Sequence, residues 1–170
     1  DPAISGCGAA YLYNIENDKV LYEYNADNIV YPVSTAKIMT GIIAVEQLGE
    51  RLGETITVTD EMLSGVYGNN ISMSAGERVT IKDMLYACIS NCSNDAAHVL
   101  AFIVSGSVND FVNLMNERAV QLGAKNTFYT NPTGIHDDNM KTTARDTVLI
   151  SKHALSLSLF AEVAASKSYE

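Results

Sequence analysis

Strand-like and helix-like patterns divide the chain unevenly. Gly8-Ala9-Ala10-Tyr11-Leu12-Tyr13-Asn14-Ile15 and Lys19-Val20-Leu21-Tyr22-Glu23-Tyr24 are rich in aromatic and branched residues, with turn material, Glu16-Asn17-Asp18, between them. The two stretches predict an antiparallel hairpin, and Asn25-Ala26-Asp27 ends its second strand. The spacing then becomes helical. An apolar run from Ile38 to Leu48 predicts a helix from about Ser34, closed by Gly49. Thr55-Ile56-Thr57-Val58 is a short strand candidate. Thr80-Ile81-Lys82-Asp83 has the T-x-x-D form of a capped helix start, continued by Met84, Leu85, Ala87 and Cys88. Asn91-Cys92-Ser93-Asn94 interrupts it, and a second helix follows over Asp95–Val104. That helix is apolar almost all round, which predicts a central, buried position with His98 packed in the core. Ser107-Val108-Asn109-Asp110 starts another helix, with Phe111, Leu114, Met115 and Leu122 at helical spacing and Gly123 as its stop. Asn131-Pro132-Thr133-Gly134 reads as a turn, and Thr143-Ala144-Arg145-Asp146 as a capped start leading through Leu149, Ile150 and Leu155. The layout is a hairpin followed by a mostly helical body, without internal repeats or linkers.

Composition narrows this picture without redirecting it. The 170 residues suffice for one domain with a sizeable core, and 47% hydrophobic content suits a globular protein. A formal net charge of -9 argues against nucleic acid or an anionic membrane as partner. No apolar run reaches the roughly 18 to 20 residues that span a bilayer. The start at Asp1-Pro2-Ala3 has neither a basic nor an apolar leader region, so the sequence reads as a mature or trimmed chain, which does not imply a cytosolic protein. Cys7, Cys88 and Cys92 make an odd, low count and no disulfide framework. Cys88 and Cys92 would lie one turn apart on a continuous helix, yet His98, His136 and His153 show no ligand spacing with them. The cysteines read as buried, inert thiols, and no metal or cofactor is expected.

Candidate chemistry concentrates at Ser34-Thr35-Ala36-Lys37. Residues three apart share one face of a helix. A lysine held partly buried at a helix N-terminus is favoured in its neutral form by desolvation and by the local positive potential. A neutral amine can take the proton of a neighbouring hydroxyl, which yields a serine nucleophile without histidine. S-x-x-K alone is a weak pattern that also fits a capping serine and a solvated lysine.

The remaining motifs make it specific. In order along the chain stand Lys19-Val20-Leu21-Tyr22 with Asn25-Ala26-Asp27, then Pro32-Val33-Ser34-Thr35-Ala36-Lys37-Ile38-Met39-Thr40, Gly76-Glu77-Arg78-Val79-Thr80 and Ser93-Asn94-Asp95-Ala96-Ala97. Phe111-Val112-Asn113-Leu114-Met115-Asn116, Leu122-Gly123-Ala124 with Thr127-Phe128, Asn131-Pro132-Thr133-Gly134 and Thr143-Ala144-Arg145-Asp146 complete the series. In this order and spacing the sequence resembles the D-alanyl-D-alanine carboxypeptidases, the low-molecular-mass penicillin-binding proteins, over essentially its whole length. The resemblance implies an α+β fold of the β-lactamase/transpeptidase type, a mostly helical body on an antiparallel sheet. It also implies a reaction: a serine attacks the carbonyl between two D-alanines of a peptidoglycan stem peptide, D-alanine leaves, and water hydrolyses the acyl-enzyme. β-Lactam antibiotics would trap the same serine. By resemblance Ser34 is the nucleophile, Lys37 its base, and the Ser34 N–H half of an oxyanion hole. The substrate places the protein outside the cytoplasm, in the cell envelope.

Two departures qualify what is implied. The family's second motif is S-x-N; Asn94 is kept, but Cys92 stands where the serine belongs. A thiol is a weaker hydrogen-bond donor than a hydroxyl and more acidic, so proton transfer to the leaving amine is expected to be slower or to depend differently on pH, unless Ser90 or Ser93 takes the role through a shifted loop. The third motif, K-T-G, is not found up to Glu170, and Lys152 and Lys167 do not replace it. Residues 1–170 are therefore expected to form the N-terminal part of a single transpeptidase-like domain, impaired alone, with a companion chain or fragment supplying further strands. The alternatives are a non-catalytic member of the fold that binds peptidoglycan or regulates another enzyme, and a β-lactamase or esterase.

Overall fold

The computed structural model describes residues 6–169; the Asp1-Pro2-Ala3 start lies outside them. Strands β1 (Ala10–Asn14) and β2 (Lys19–Tyr24) pair antiparallel, with a register shift between Leu12 and Tyr13. A 3-10 turn, Val33–Thr35, leads into α1 (Ala36–Leu48). Strand β3 (Thr55–Thr57), the short α2 (Asp60–Leu63) and β4 (Arg78–Thr80) follow. Five further helices complete the body: α3 (Ile81–Ile89), α4 (Asn94–Ser105), α5 (Val108–Gln121), α6 (Ala144–Ser156) and α7 (Ser158–Ala165).

Helix α1 is the axle of the body and touches α3, α4, α5, α6 and α7. It needs apolar residues on every side, and its sequence supplies them: Ala36, Met39, Ile42, Ile43, Ala44 and Leu48 are all buried. On one side lie Phe111, Met115, Met140, Ile150 and Phe160; on the other Ile81, Leu85, Val99 and Leu100. Gly41 sits where α7 comes closest, because a Cβ there would stand 2.7 Å from the Phe160 ring. Side-chain caps set the helix starts. Thr80 and Asp83 form a reciprocal capping box on α3, with bonds of 2.9 and 3.1 Å. Ser107 and Thr143 cap α5 and α6 by accepting from Asp110 N and Asp146 N.

One face of the hairpin packs on α6. Arg145 lies 4.7 Å above the Tyr11 ring and reaches Asp27 at 2.7 Å and Glu23 at 3.1 Å. Lys152 lies over Tyr13 and pairs with Asp18 in the turn. These contacts tie the hairpin to the body through stacking and charge, while Leu12 and Leu21 on the sheet are 55% and 53% exposed. Among the described residues β1 and β2 pair only with each other, so each has one edge without a strand partner. No single helix is long and apolar enough to cross a membrane.

Several elements differ from the sequence reading. The first strand is shorter than Gly8–Ile15. Arg78-Val79-Thr80, expected only as the approach to a helix, pairs with β3 first. Helix α2 is new, and α7 is separate from α6 because Leu157 adopts an extended backbone (φ -84, ψ 111) without glycine or proline to announce it. Helix α4 is buried from Asn94 to Ala101 only. Cys88 and Cys92 do not share a helix, since α3 stops at Ile89. Cys88 is the buried thiol that was expected, pushed up to about 12 by burial. Cys7 and Cys92 are both half-buried, which corrects the reading of three buried cysteines.

Candidate active site

The approach to α1 is shaped by strain. Val33 has φ +49, an uncommon conformation for a branched residue. Backbone costs of this kind, about 1–3 kcal/mol, cluster at functional sites. The turn is closed by Thr35, whose N–H and hydroxyl both donate to the Pro32 carbonyl, at 3.1 and 2.6 Å. Ser34 is thereby held out at the surface while Lys37, three residues on, is only 4% exposed. Ser34 thus belongs to the 3-10 turn, and the α-helix proper begins two residues later.

Lys37 Nζ donates to the Thr133 carbonyl at 2.7 Å. Among the described residues no hydrogen bond joins it to the Ser34 hydroxyl, so the direct contact expected from the sequence is not formed. One donor is spent on Thr133, and a lysine amine has others or, when neutral, a lone pair.

The turn at Asn131-Pro132-Thr133-Gly134 is the anchor for this lysine. Asn131 Oδ1 accepts from Thr133 N at 3.1 Å, Thr133 Oγ1 at 2.8 Å and Gly134 N at 2.8 Å, while its Nδ2 donates to Ile135 O at 2.8 Å. Thr40 Oγ1 donates to Pro132 O at 2.7 Å, so α1 holds the turn at two points one helical turn apart. Gly134 lies against the Val33–Ser34 peptide: a Cβ there would meet Val33 O at 1.6 Å.

The opposite wall is the start of α4. Asn94 and Ser34 line one cleft of about 320 Å³, together with Tyr67, Thr133 and His136. Asn94 Nδ2 donates to the Tyr67 carbonyl at 2.6 Å. Cys92, with φ +57, sits half-buried behind Asn94, and its carbonyl accepts from Asn69 Nδ2 at 3.0 Å. Neither neighbouring serine is free to replace it. Ser93 is fully buried with its hydroxyl on Asp95, and Ser90 Oγ donates to Val163 O at 2.7 Å. His98 is a core residue: burial lowers its pKa against the opposing pull of Asp95, and Nδ1 has no partner.

A larger cavity of about 530 Å³ lies elsewhere, between α3 and residues 166–169. Its Ser90 and Ser166 hydroxyls are bound to Val163 O and lie 3.1 Å from each other. Among the described residues no three His, Cys, Asp or Glu side chains gather as a metal site. The chemistry available is therefore a surface serine, a buried lysine and a facing carboxamide. The sequence reading missed Asn131, Thr133, Tyr67 and Asn69 as parts of this arrangement. Asn131-Pro132-Thr133-Gly134 was visible as a turn, but nothing local says that its carbonyls face α1.

The profile of the D-alanyl-D-alanine carboxypeptidase family matches residues 2–170. The chain is 33% identical over 150 residues to the D-alanyl-D-alanine carboxypeptidase DacF of Bacillus subtilis, covering 86% of this chain and 38% of that protein. It is 37% identical over 142 residues to a D-alanyl-D-alanine endopeptidase of Pseudomonas aeruginosa, covering 82% and 44%. Among solved structures, penicillin binding protein 5 of Haemophilus influenzae superposes with a TM-score of 0.86 at 27% identity, over 95% of this chain and 48% of that one. A D-alanyl-D-alanine carboxypeptidase of Mycobacterium tuberculosis gives 0.87 at 26%, over 95% and 60%. The fold is therefore the α+β fold of the penicillin-binding proteins. The chain spans about two-fifths of the length of the curated relatives described, at 38 and 44%. With S-x-x-K at the mouth of the central helix and the matching order of motifs, this chain belongs to the D-alanyl-D-alanine carboxypeptidase family of serine peptidases.

Proposed function

We propose that this chain carries the nucleophilic half of a serine-type D-Ala-D-Ala carboxypeptidase acting on peptidoglycan stem peptides in the cell envelope. The observation that carries the reading is the cleft shared by Ser34 and Asn94, with Lys37 buried at its edge and fixed by Thr133. Neutral Lys37 can donate one N–H to the Thr133 carbonyl and turn its lone pair to Ser34. The Ser34 Oγ–carbonyl bond then forms as its proton passes to Lys37. The amide bond to the terminal D-alanine breaks, and the amine leaves with a proton. Water cleaves the resulting ester. The scheme uses no cofactor or metal. A β-lactam enters the same first step and stops at the ester.

Residues 1–170 are read as one folding unit, the N-terminal part of a transpeptidase-like domain. The open edges of β1 and β2 and the exposure of Leu12 and Leu21 support a further segment or companion chain against the sheet. The test is labelling by a fluorescent penicillin at the protein's natural length, with the adduct mapped by mass spectrometry. One adduct on the Ser34 peptide is expected. An adduct on Cys92 instead would overturn the assignment.

A non-catalytic, peptidoglycan-binding role is the second reading, favoured by Cys92 in place of the motif serine. Cys92→Ser separates the two. A hydroxyl is the better donor, so hydrolysis of a D-Ala-D-Ala peptide should stay equal or rise by up to about tenfold, of the order contributed by one hydrogen bond. No turnover before or after the exchange favours the non-catalytic reading, whereas turnover that Cys92→Ser eliminates would make the thiol the nucleophile.

A further inference from the structure

The segment from Tyr67 to Met73 has no helix or strand of its own, yet it is bound residue by residue to the junction of α3 and α4. Asn69 Nδ2 donates to the carbonyls of Asn91 at 2.8 Å and Cys92 at 3.0 Å. Asn94 N donates to Asn69 O at 2.7 Å, and Asn94 Nδ2 to Tyr67 O at 2.6 Å. Asp95, 2% exposed, completes the set: its carboxylate accepts from Ile71 N at 3.1 Å, Met73 N at 3.2 Å, Ala96 N at 2.9 Å and the Ser93 hydroxyl.

Each bond has a consequence at the cleft. The left-handed backbone of Cys92 (φ +57) is an intrinsically costly conformation for a residue with a side chain, and Asn69 grips it from outside. The Tyr67 carbonyl takes an N–H of the Asn94 amide, which fixes which end of that amide points where. Oδ1 is left as an acceptor for a lysine or substrate N–H. The Tyr67 carbonyl can do this only if the loop is held, and Asp95 holds it. A buried carboxylate at the first turn of α4 is stabilised by the helix N–H groups, and its remaining acceptor capacity is used on the loop.

From this geometry we infer that Asp95 and Asn69 are positioning residues for acylation: they clamp the 67–73 loop so that the Asn94 amide faces Ser34 in one fixed orientation. The inference rests on the acyl-enzyme reading above and adds two residues that touch neither substrate nor nucleophile. Neither is implied by the S-x-x-K and S-x-N spacings.

The test compares wild type, Asp95→Asn and Asn69→Ala at natural length in timed labelling by a fluorescent penicillin. The saturating labelled fraction counts folded, competent molecules; the rate constant reads the geometry of each. Displacing a catalytic group by about 1 Å can cost about 10²-fold. Asp95→Asn should therefore lower the rate constant about 10²-fold and Asn69→Ala about tenfold, with the saturating fraction preserved. Asn69 is exposed, so its variant carries the test if Asp95→Asn does not fold. A labelled fraction that falls while the rate constant stays at the wild-type value would show a merely structural role and overturn the inference. If wild type is never labelled, the acyl-enzyme reading fails instead. The clamp is then read from the Asn94 side-chain amide resonance, which must broaden or shift in Asn69→Ala; an unchanged signal overturns it.

Discussion

Ser34→Ala should abolish covalent labelling by penicillin, and Lys37→Ala should lower the acylation rate constant by about 10⁴-fold, the scale seen when a serine hydrolase loses a member of its catalytic set. The expectation follows from where Lys37 lies. It is buried with its amine anchored on Thr133, a residue of the cleft wall, and among the described residues that line the cleft the only lysine or histidine is His136, which is hydrogen-bonded to Asp138 at 3.2 Å. Removing the lysine also leaves the Thr133 carbonyl without its donor, at a cost of about 1–3 kcal/mol. Stability and rate must therefore be measured together. A timed labelling course on the folded fraction separates them, and acylation by Lys37→Ala within tenfold of wild type would mean that another group is the base.

Gly134→Ala should be the most damaging single methyl group in the molecule. Gly134 has φ +79, and the added Cβ would lie 1.6 Å from Val33 O, 2.3 Å from Val33 C and 3.0 Å from Ser34 N. All three are backbone atoms, so no rotamer change relieves the overlap, and the Val33–Ser34 peptide must move. Together with the left-handed strain, about 1–2 kcal/mol, a loss of about 3 kcal/mol or more is expected. At this chain length that lowers Tm by about 6–12 °C. Because the displaced peptide carries Ser34, the proposed nucleophile, acylation should fall about 10²-fold in the molecules that remain folded. Gly76→Ala is the control: φ is +92, but nothing stands within 4 Å of its Cβ. It should show only the strain, with labelling kinetics unchanged. Equal effects of the two substitutions on labelling would contradict the close packing of Gly134 on Ser34.

Local physics wrote itself into the sequence wherever an element is decided by its own residues. Thr80 and Thr143, each with an aspartate three residues on, cap helices where expected. Lys19–Tyr24 forms a strand with the predicted bounds, and the apolar run after Lys37 makes the buried axle. The misses are of another kind. Strand β4 is three residues long, too short to show alternation, and exists because β3 is beside it. The break between α6 and α7 lies at a leucine, set by packing on α1 and α3 and not by a helix breaker. Of the candidate site residues that spacing suggested, the structure brings Ser34 and Asn94 to one cleft and buries Lys37 against Thr133. The 67–73 loop was not legible in the sequence, because its order comes from Asp95 and Asn94, which lie 22 to 27 residues further on. Spacing also suggested a direct Ser34–Lys37 bond, where the structure inserts the Thr133 carbonyl as the lysine's partner.

The two bonds from α1 to the Asn131–Gly134 turn join residues 96 and 92 positions apart. Closing a chain of that length costs about 4 kcal/mol in loop entropy, an ordering term repaid only when the intervening helices have collapsed. The hairpin and the individual helices need no such closure. The surroundings of Ser34 are therefore expected to condense late, after most of the secondary structure has formed, and to loosen early when the body opens. A chain caught part-way, with its helices formed and this turn undocked, carries Ser34 as an ordinary surface alcohol. On the proposed assignment of Ser34, reactivity toward a β-lactam should then depend on completion of the fold.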